Sequence, residues 1–280
     1  MNDQTKWEIR PRRGWFELDL RELFHYKDLL FRLVRRDFLM LYQQTLLGPA
    51  WIILQPLFTV LTYVLIFHRT LGIPTNGVPP FLFYLTGITL WNLFSDIFVG
   101  TSTTFTSNIQ IFSKVYFPRL IVPFSTTLLH FSRLGVQLLL LVGVVLFYHF
   151  TGRYPMTTGN WFYAILPVFV AGSLGLAGGL LFSVLTAKYR DLTNVLHLMV
   201  RLLMFVCPIF FSTSFISEDM RWIINLNPLA PMFELFRYAW LGTGTFTIMQ
   251  CAYSFSAMAI LLFAGIILYN KKADTLLDVV

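Results

Sequence analysis

Long apolar runs limit this chain more than any other feature. A helix crosses a bilayer with about 20 predominantly apolar residues. Six segments approach that length: residues 48–67, 81–105, 120–150, 161–186, 195–211 and 248–269. What remains cannot cover a water-facing surface. Only 12% of the 280 residues are Asp, Glu, Lys or Arg, against 56% AVILMFWYC, whereas a soluble domain has about 25% charged residues. A soluble globular enzyme is excluded, and the apolar excess also excludes disorder. The expected fold class is an all-α integral membrane protein with six transmembrane helices. Residues 212–247 are neither clearly polar nor clearly spanning, and Pro228 and Pro231 divide them into short pieces. The expected organisation is a cytoplasmic N-terminal segment over 1–47, a six-span domain over 48–270 and a cytoplasmic tail over 271–280. No internal repeat or second soluble domain is visible, and the charged, amphipathic start has no signal-peptide pattern.

The net charge of +7 could suggest nucleic acid, but the charges are not spread over a folded face. Nine of the 21 Lys and Arg occur by Arg36, ahead of the apolar runs. A basic segment beside apolar spans marks a cytoplasmic end facing anionic lipid. The loops after the second and fourth spans add Lys114, Arg119, Lys188 and Arg190, and the tail adds Lys271 and Lys272. The opposite loops hold only Arg69, Arg153 and Arg221. Both termini are therefore expected in the cytoplasm, and no nucleic-acid partner is expected.

Residues 22–42 read as a helix ahead of the first span. At about 100° per residue, Leu23, Leu30, Val34, Phe38 and Leu41 share one side, and His25, Asp28, Arg32, Arg35 and Arg36 the other. Lys27, Asp37 and Leu39 break the pattern. Such a basic amphipathic segment is expected to lie in the membrane interface. Its arginines can serve as a lipid anchor, or they can also meet a phosphate-bearing substrate or a partner, because the guanidinium is a permanently charged fork of donors.

Ionisable groups inside a membrane are costly and face protein or water. Asp96 and Arg133 lie at similar distances from the outer ends of two antiparallel spans, so at about 1.5 Å rise per residue they are expected to be neighbours. Such a pair either locks two helices or lies along a transport path. Arg201, Glu234 and Arg237 are further candidates, with the last two placed towards the outer surface. Gly175 and Gly179, beside Gly172 and Gly178, form a small-xxx-small step suited to close helix packing, within the chain or between copies.

No phosphate-cradling G-x-x-x-x-G-K-[ST] run and no G-x-S-x-G elbow occurs. The five histidines are isolated, and Cys207 and Cys251 lack metal or redox spacing. A membrane chain without visible chemistry reads as a conduit or scaffold rather than an enzyme, with any energy coming from a partner.

Four segments in order resemble the permease subunits of type-2 ABC exporters for bacterial surface polysaccharides. The first runs from Arg35-Arg36-Asp37 through Tyr42-Gln43-Gln44-Thr45-Leu46-Leu47-Gly48-Pro49-Ala50-Trp51 to Leu54-Gln55-Pro56. The others are Lys114-Val115-Tyr116-Phe117-Pro118-Arg119, Tyr189-Arg190-Asp191-Leu192 and Asn227-Pro228-Leu229-Ala230-Pro231. Trp15-Phe16 looks most like the O-antigen branch.

The resemblance implies a homodimer in the bacterial inner membrane, working with two copies of a separate ATPase that binds ATP and Mg, this chain binding no cofactor itself. It implies short re-entrant helices between spans five and six. The substrate would be a polyprenyl-diphosphate-linked glycan. Arg32, Arg35 and Arg36 are the expected diphosphate contacts, and Tyr63, Tyr84, Trp91, Phe94 and Phe98 the expected translocation path. ATPase coupling is assigned to Lys114, Tyr116, Phe117, Pro118, Arg119, Tyr189, Arg190 and Asp191. Alternatives are a permease for capsule, teichoic acid or another lipid or drug, an integral membrane glycan-modifying enzyme, and a gated channel, for which no filter motif is visible.

Overall fold

The computed structural model describes residues 25–112, 117–155, 161–189 and 191–277. Among these residues all regular structure is helical. In chain order the helices are α1 (Lys27–Tyr42), α2 (Trp51–Tyr63), α3 (Pro80–Ser102), α4 (Thr104–Ser107), α5 (Ile109–Phe112), α6 (Ile121–Phe150), α7 (Ile165–Lys188), α8 (Leu192–Val206), α9 (Glu218–Leu226), α10 (Ala230–Leu241) and α11 (Ile248–Leu277). One 3-10 turn, Gly48–Ala50, leads into α2, which continues as π-helix over Val64–Thr70. A second 3-10 turn, Trp161–Ala164, leads into α7.

Among the described residues five helices are long and apolar enough to cross a membrane: Gly48–Thr70 around α2, then α3, α6, Trp161–Lys188 around α7, and Ile248–Lys272 within α11. The segment expected to be the fifth of six spans differs. Helix α8 starts at Leu192 but stops at Val206, so its 15 residues cover only about 22 Å at 1.5 Å each. The stop has a local cause. Pro208 disfavours helical backbone at the residue before it, and Cys207 is extended, with φ −88° and ψ 143°. At the other end of the chain, α11 continues to Leu277, through most of the segment expected to be a tail.

Helix α3 is the hub. In its most apolar stretch 83% of residues are buried, against 17% in the first span, 22% in α6 and 17% in α11. It packs on α7, α6, α2, α8 and α10. The glycines of α7 make the closest of these approaches possible. A Cβ on Gly175 would stand 2.7 Å from the Phe94 carbonyl oxygen, and one on Gly178 would stand 2.6 Å from the Phe98 ring. A Cβ on Gly179 would collide with Thr101. The small-residue step is therefore used inside the chain. The other side of α7 receives α11, where a Cβ on Gly265 would lie 2.9 Å from the Ala177 carbonyl oxygen.

The expected apolar stripe of α1 is rotated in the structure. Leu33 is buried and packs on α6 together with Tyr26, Leu29 and Leu30, while Phe31, Met40 and Leu41 are exposed. Residues 22–24, including Leu23, lie outside the described residues. The inward face thus follows i, i+3, i+4, i+7 spacing from Tyr26.

Replacing Gly175 with Leu forces α3 and α7 apart. Overpacking of this kind costs about 1–3 kcal/mol or more. Thermal unfolding of the purified chain in detergent should show a clear drop in midpoint for Gly175→Leu, and a much smaller one for Gly143→Leu, whose Cβ would meet nothing within 4 Å.

Candidate functional site

The end of the bundle that carries α1 is joined by aromatic rings. Tyr269 of α11 stacks on Phe105 of α4 at 4.9 Å between centroids. Phe105 meets Phe112 of α5 at 5.8 Å, and Phe112 stacks on Phe117 at 5.7 Å. Phe117 in turn belongs to the cluster of Leu33, Ile121 and Val122. The Tyr269 hydroxyl also donates to the Arg119 carbonyl at 3.3 Å. Arg36 of α1 donates to Asn108 Oδ1 at 3.2 Å and pairs with Asp37 at 2.6 Å. One tightly packed joint therefore connects α1, α4, α5, the start of α6 and the end of α11. Phe105, Phe112 and Tyr269 were not among the expected site residues. The seven-residue spacing of Phe105 and Phe112 is the only sequence signal for them.

This geometry changes the expected coupling roles. Phe117 and Pro118 are buried, so they cannot offer a surface to an ATPase. Phe117 is part of the packed joint. Tyr189 and Asp191 are exposed, and the Lys188 ammonium lies 5.1 Å from the Tyr189 ring centre. Arg119 is half-buried. Lys114, Tyr116 and Arg190 lie outside the described residues. The three arginines assigned to diphosphate are also not equivalent. Arg32 and Arg35 are exposed, while Arg36 is committed to Asp37 and Asn108.

Deeper along α6, Arg133 Nη1 donates to Asp96 Oδ2 at 3.0 Å. The two residues expected at one depth are in contact. His130, one turn before Arg133, brings Nδ1 to 3.7 Å from the same carboxylate oxygen. Arg133 also lines a cleft of about 210 Å³ with Tyr42, Trp51 and Gln55. Burial pushes the Tyr42 phenol above its ordinary pKa, and the Arg133 charge opposes that shift.

The aromatic residues expected to line a path are placed differently. Tyr84, Trp91, Phe94 and Phe98 are buried in the core of this chain, and Phe98 lies under α7 against the ring of Phe182 at 5.5 Å. The α7 glycines admit α3 so closely that its aromatic stripe is sealed by intrachain packing. Only Tyr63 keeps partial exposure, with its ring against Phe210 at 4.9 Å.

The opposite end is organised by one buried ion pair. Glu234 and Arg237, expected towards the outer surface, do lie at this end, and within it they are 1% and 2% exposed. Arg237 Nη1 donates to Glu234 Oε1 at 3.0 Å, and Nη2 donates to the Pro208 carbonyl at 2.6 Å. The guanidinium carbon sits 3.9 Å from the centre of the Phe83 ring, a cation–π geometry that favours a desolvated cation. Glu234 Oε1 also accepts the Thr213 backbone N–H at 3.0 Å, and Oε2 accepts that of Thr245 at 3.2 Å. The pair thereby holds four chain segments: the break after α8, the turn before α9, α10 itself and the lead into α11. Gly242 closes α10 in the left-handed region at φ 69°, and a Cβ on Gly244 would collide with the Glu234 carbonyl. Arg201, by contrast, is exposed on α8.

The ABC-2 type transporter family model matches residues 28–241. An O-antigen export system permease protein RfbA of Klebsiella pneumoniae is 28% identical over 247 residues, covering 87% of this chain and 92% of the relative. A second such protein of that organism is 27% identical over the same shares. One from Myxococcus xanthus is 28% identical over 221 residues, covering 76% of this chain and 80% of the relative. The family match ends at the last residue of α10 and so contains the Glu234–Arg237 pair.

Removing one partner of a buried pair leaves an uncompensated charge, which costs about 3–5 kcal/mol. Glu234→Ala should therefore destabilise the chain strongly, and Glu234→Gln less, since the amide oxygen can still accept N–H groups. In a double-mutant cycle with Arg237→Met, the two losses should fall short of additive by about 1–3 kcal/mol. Denaturant unfolding in detergent measures all four corners.

Proposed function

We propose that this chain, which belongs to the ABC-2 type transporter family, is the membrane subunit of an ATP-driven exporter of an O-antigen-like, polyprenyl-diphosphate-linked polysaccharide. The family and the export permeases it resembles support a transporter role and an ABC ATPase as partner. We assign it two copies of itself and two of the ATPase, with ATP and Mg bound on the ATPase. It would lie in the bacterial inner membrane with both termini cytoplasmic. In this reading α8 and residues 207–212 together make the fifth of six crossings, α1 lies in the cytoplasmic interface, and α9 and α10 form the outer re-entrant cap between the fifth and sixth.

The observation that carries an ATP-driven mechanism is the packed joint around Leu33, Phe117 and Tyr269. A motor acting on the exposed Tyr189 and Asp191 and on α1 needs a stiff connection into the spans. Close-packed interiors transmit displacement because they are not continuously deformable. Leu33 hands a push on α1 to Ile121 and Val122, and the ring stack shares it with α11. Arg32 and Arg35, exposed on α1, are the phosphate contacts this reading retains; Arg36 serves to fasten α1 to the α4–α5 turn. The export role of the relatives named for O-antigen favours that branch over capsule, teichoic acid or drug substrates.

Co-expression with a cognate ABC ATPase should yield a stable complex whose ATP hydrolysis rises when lipid-linked glycan is added. Phe117→Ala should leave hydrolysis in place while glycan transport falls severalfold, because the joint rather than the ATPase contact is damaged. Wild-type transport by Phe117→Ala would refute the coupling role.

A further inference from the structure

At the end of the molecule opposite α1, the structure holds a cleft of about 550 Å³ between α9, α10 and the start of α11. That volume lies within the range of small-molecule sites. Its lining mixes amides and hydroxyls, chiefly Asn225, Gln250, Thr245 and Thr247, with the Phe246 ring and the apolar Ile224 and Pro231, and Arg221 adds a cation. Gln250 Nε2 donates to Asn225 Oδ1 at 3.2 Å, which aligns the two amides. The Asn225 amide nitrogen has no hydrogen-bond partner among the described residues.

The floor is fixed in advance. Glu234 lines the cleft, but its charge is matched by Arg237, and its oxygens are held by Thr213 and Thr245. A ligand therefore meets a rigid surface without a net carboxylate charge at its base. Preorganised groups of this sort lower the cost of binding. A pyranose has the complementary chemistry: apolar C–H faces for a ring and aliphatic side chains, and hydroxyl edges for planar amides and threonine hydroxyls.

We propose that this cleft is a saccharide subsite that holds a sugar unit of the exported glycan on the outer side of the membrane. The proposal rests on the polysaccharide-export reading above. It gives α9 and α10 a binding role in addition to closing the outer end. It also places the recognised unit away from the phosphate contacts on α1, so the cleft reads the polymer rather than its lipid anchor.

The test uses the full chain with its ATPase, in cells where the chain restores surface glycan. A photo-crosslinking amino acid replaces Asn225, Thr247 or, as a control facing outward from α6, Leu139, which is 73% exposed. Positions 225 and 247 are also exposed, so the replacement removes no core packing. Irradiation should give glycan-bearing adducts at 225 or 247 severalfold above those at 139, and none in cells that lack the first glycosyltransferase of the glycan. Cleft adducts no more abundant than those at 139 would overturn the subsite. If cells without the chain still export glycan, the export reading itself fails; if export needs the chain but the cleft captures no glycan, only the subsite fails.

Discussion

Between α3 and α7 the two backbones come within reach of each other, and the bundle is arranged around that contact. Helices in a bilayer gain little from hiding apolar side chains, because lipid is as apolar as leucine; close van der Waals packing does much of the holding. Gly175, Gly178 and Gly179 remove the side chains that would separate α7 from Phe94, Phe98 and Thr101, and Gly172 does the same beside Phe131 of α6. The Thr186 hydroxyl then reaches the Ser102 carbonyl at 2.5 Å and ties the ends of the two helices together. With one face of α3 so covered, α2, α6 and α10 pack on what remains. The burial of Phe94 and Phe98 follows from the same contact, whereas Tyr84 is covered by Tyr63 and Phe67 of the first span.

Polar groups in such a core are placed sparingly and satisfied close to home. Most Ser and Thr hydroxyls within the spans return to a carbonyl three or four residues back, as Thr89 does to Leu85 and Ser102 to Phe98. Two charged pairs are the exceptions. Asp96–Arg133 joins helices that already pack along their length. Glu234–Arg237 binds backbone that has no helix to satisfy it, at Thr213, Thr245 and Pro208. Buried backbone groups outside regular helix need partners, and here one carboxylate and one guanidinium meet three of them.

How far the sequence reveals this depends on the range of the interaction. The runs that form α3, α6 and α7 are legible because apolar length is a local property, and their ends fall close to the expected positions. The Asp96–Arg133 contact is legible because depth along antiparallel helices is simple arithmetic. The end of α8 is misjudged because Cys207 to Phe211 remain apolar while Pro208 breaks the helix. The rotation of α1 is hidden for another reason: Leu29, Leu30 and Leu33 are no more apolar than Val34 or Phe38, and only the position of Phe117 and Ile121 decides which of them turns inward. The burial of Glu234 and Arg237 within that end is illegible because it depends on partners 11 to 29 residues away. The sealed aromatic stripe depends on α7, roughly 80 positions further along the chain.

The contacts that cross the molecule form a continuous series. Leu33 of α1 rests on Ile121 at the start of α6, and three turns later Arg133 of the same helix grips Asp96 of α3. Near the far end of α3, Phe83 carries the guanidinium of Arg237, and Glu234 beside it holds Thr245 before α11. Helix α11 then returns to the first end, where Tyr269 stacks on Phe105. The series is closed at both ends, so displacement of α1 relative to α3 is opposed at α6, at α10 and again through α11. Such a frame moves as a body more readily than it bends. The first span is held more loosely: Pro56 interrupts its hydrogen bonding, its last seven helical residues are π-helical, and most of its apolar surface is exposed. Relative motion within one chain is therefore least opposed between the α3–α7–α11 frame and α2, next to the turn at Gln44 and Gly48, where both residues have positive φ.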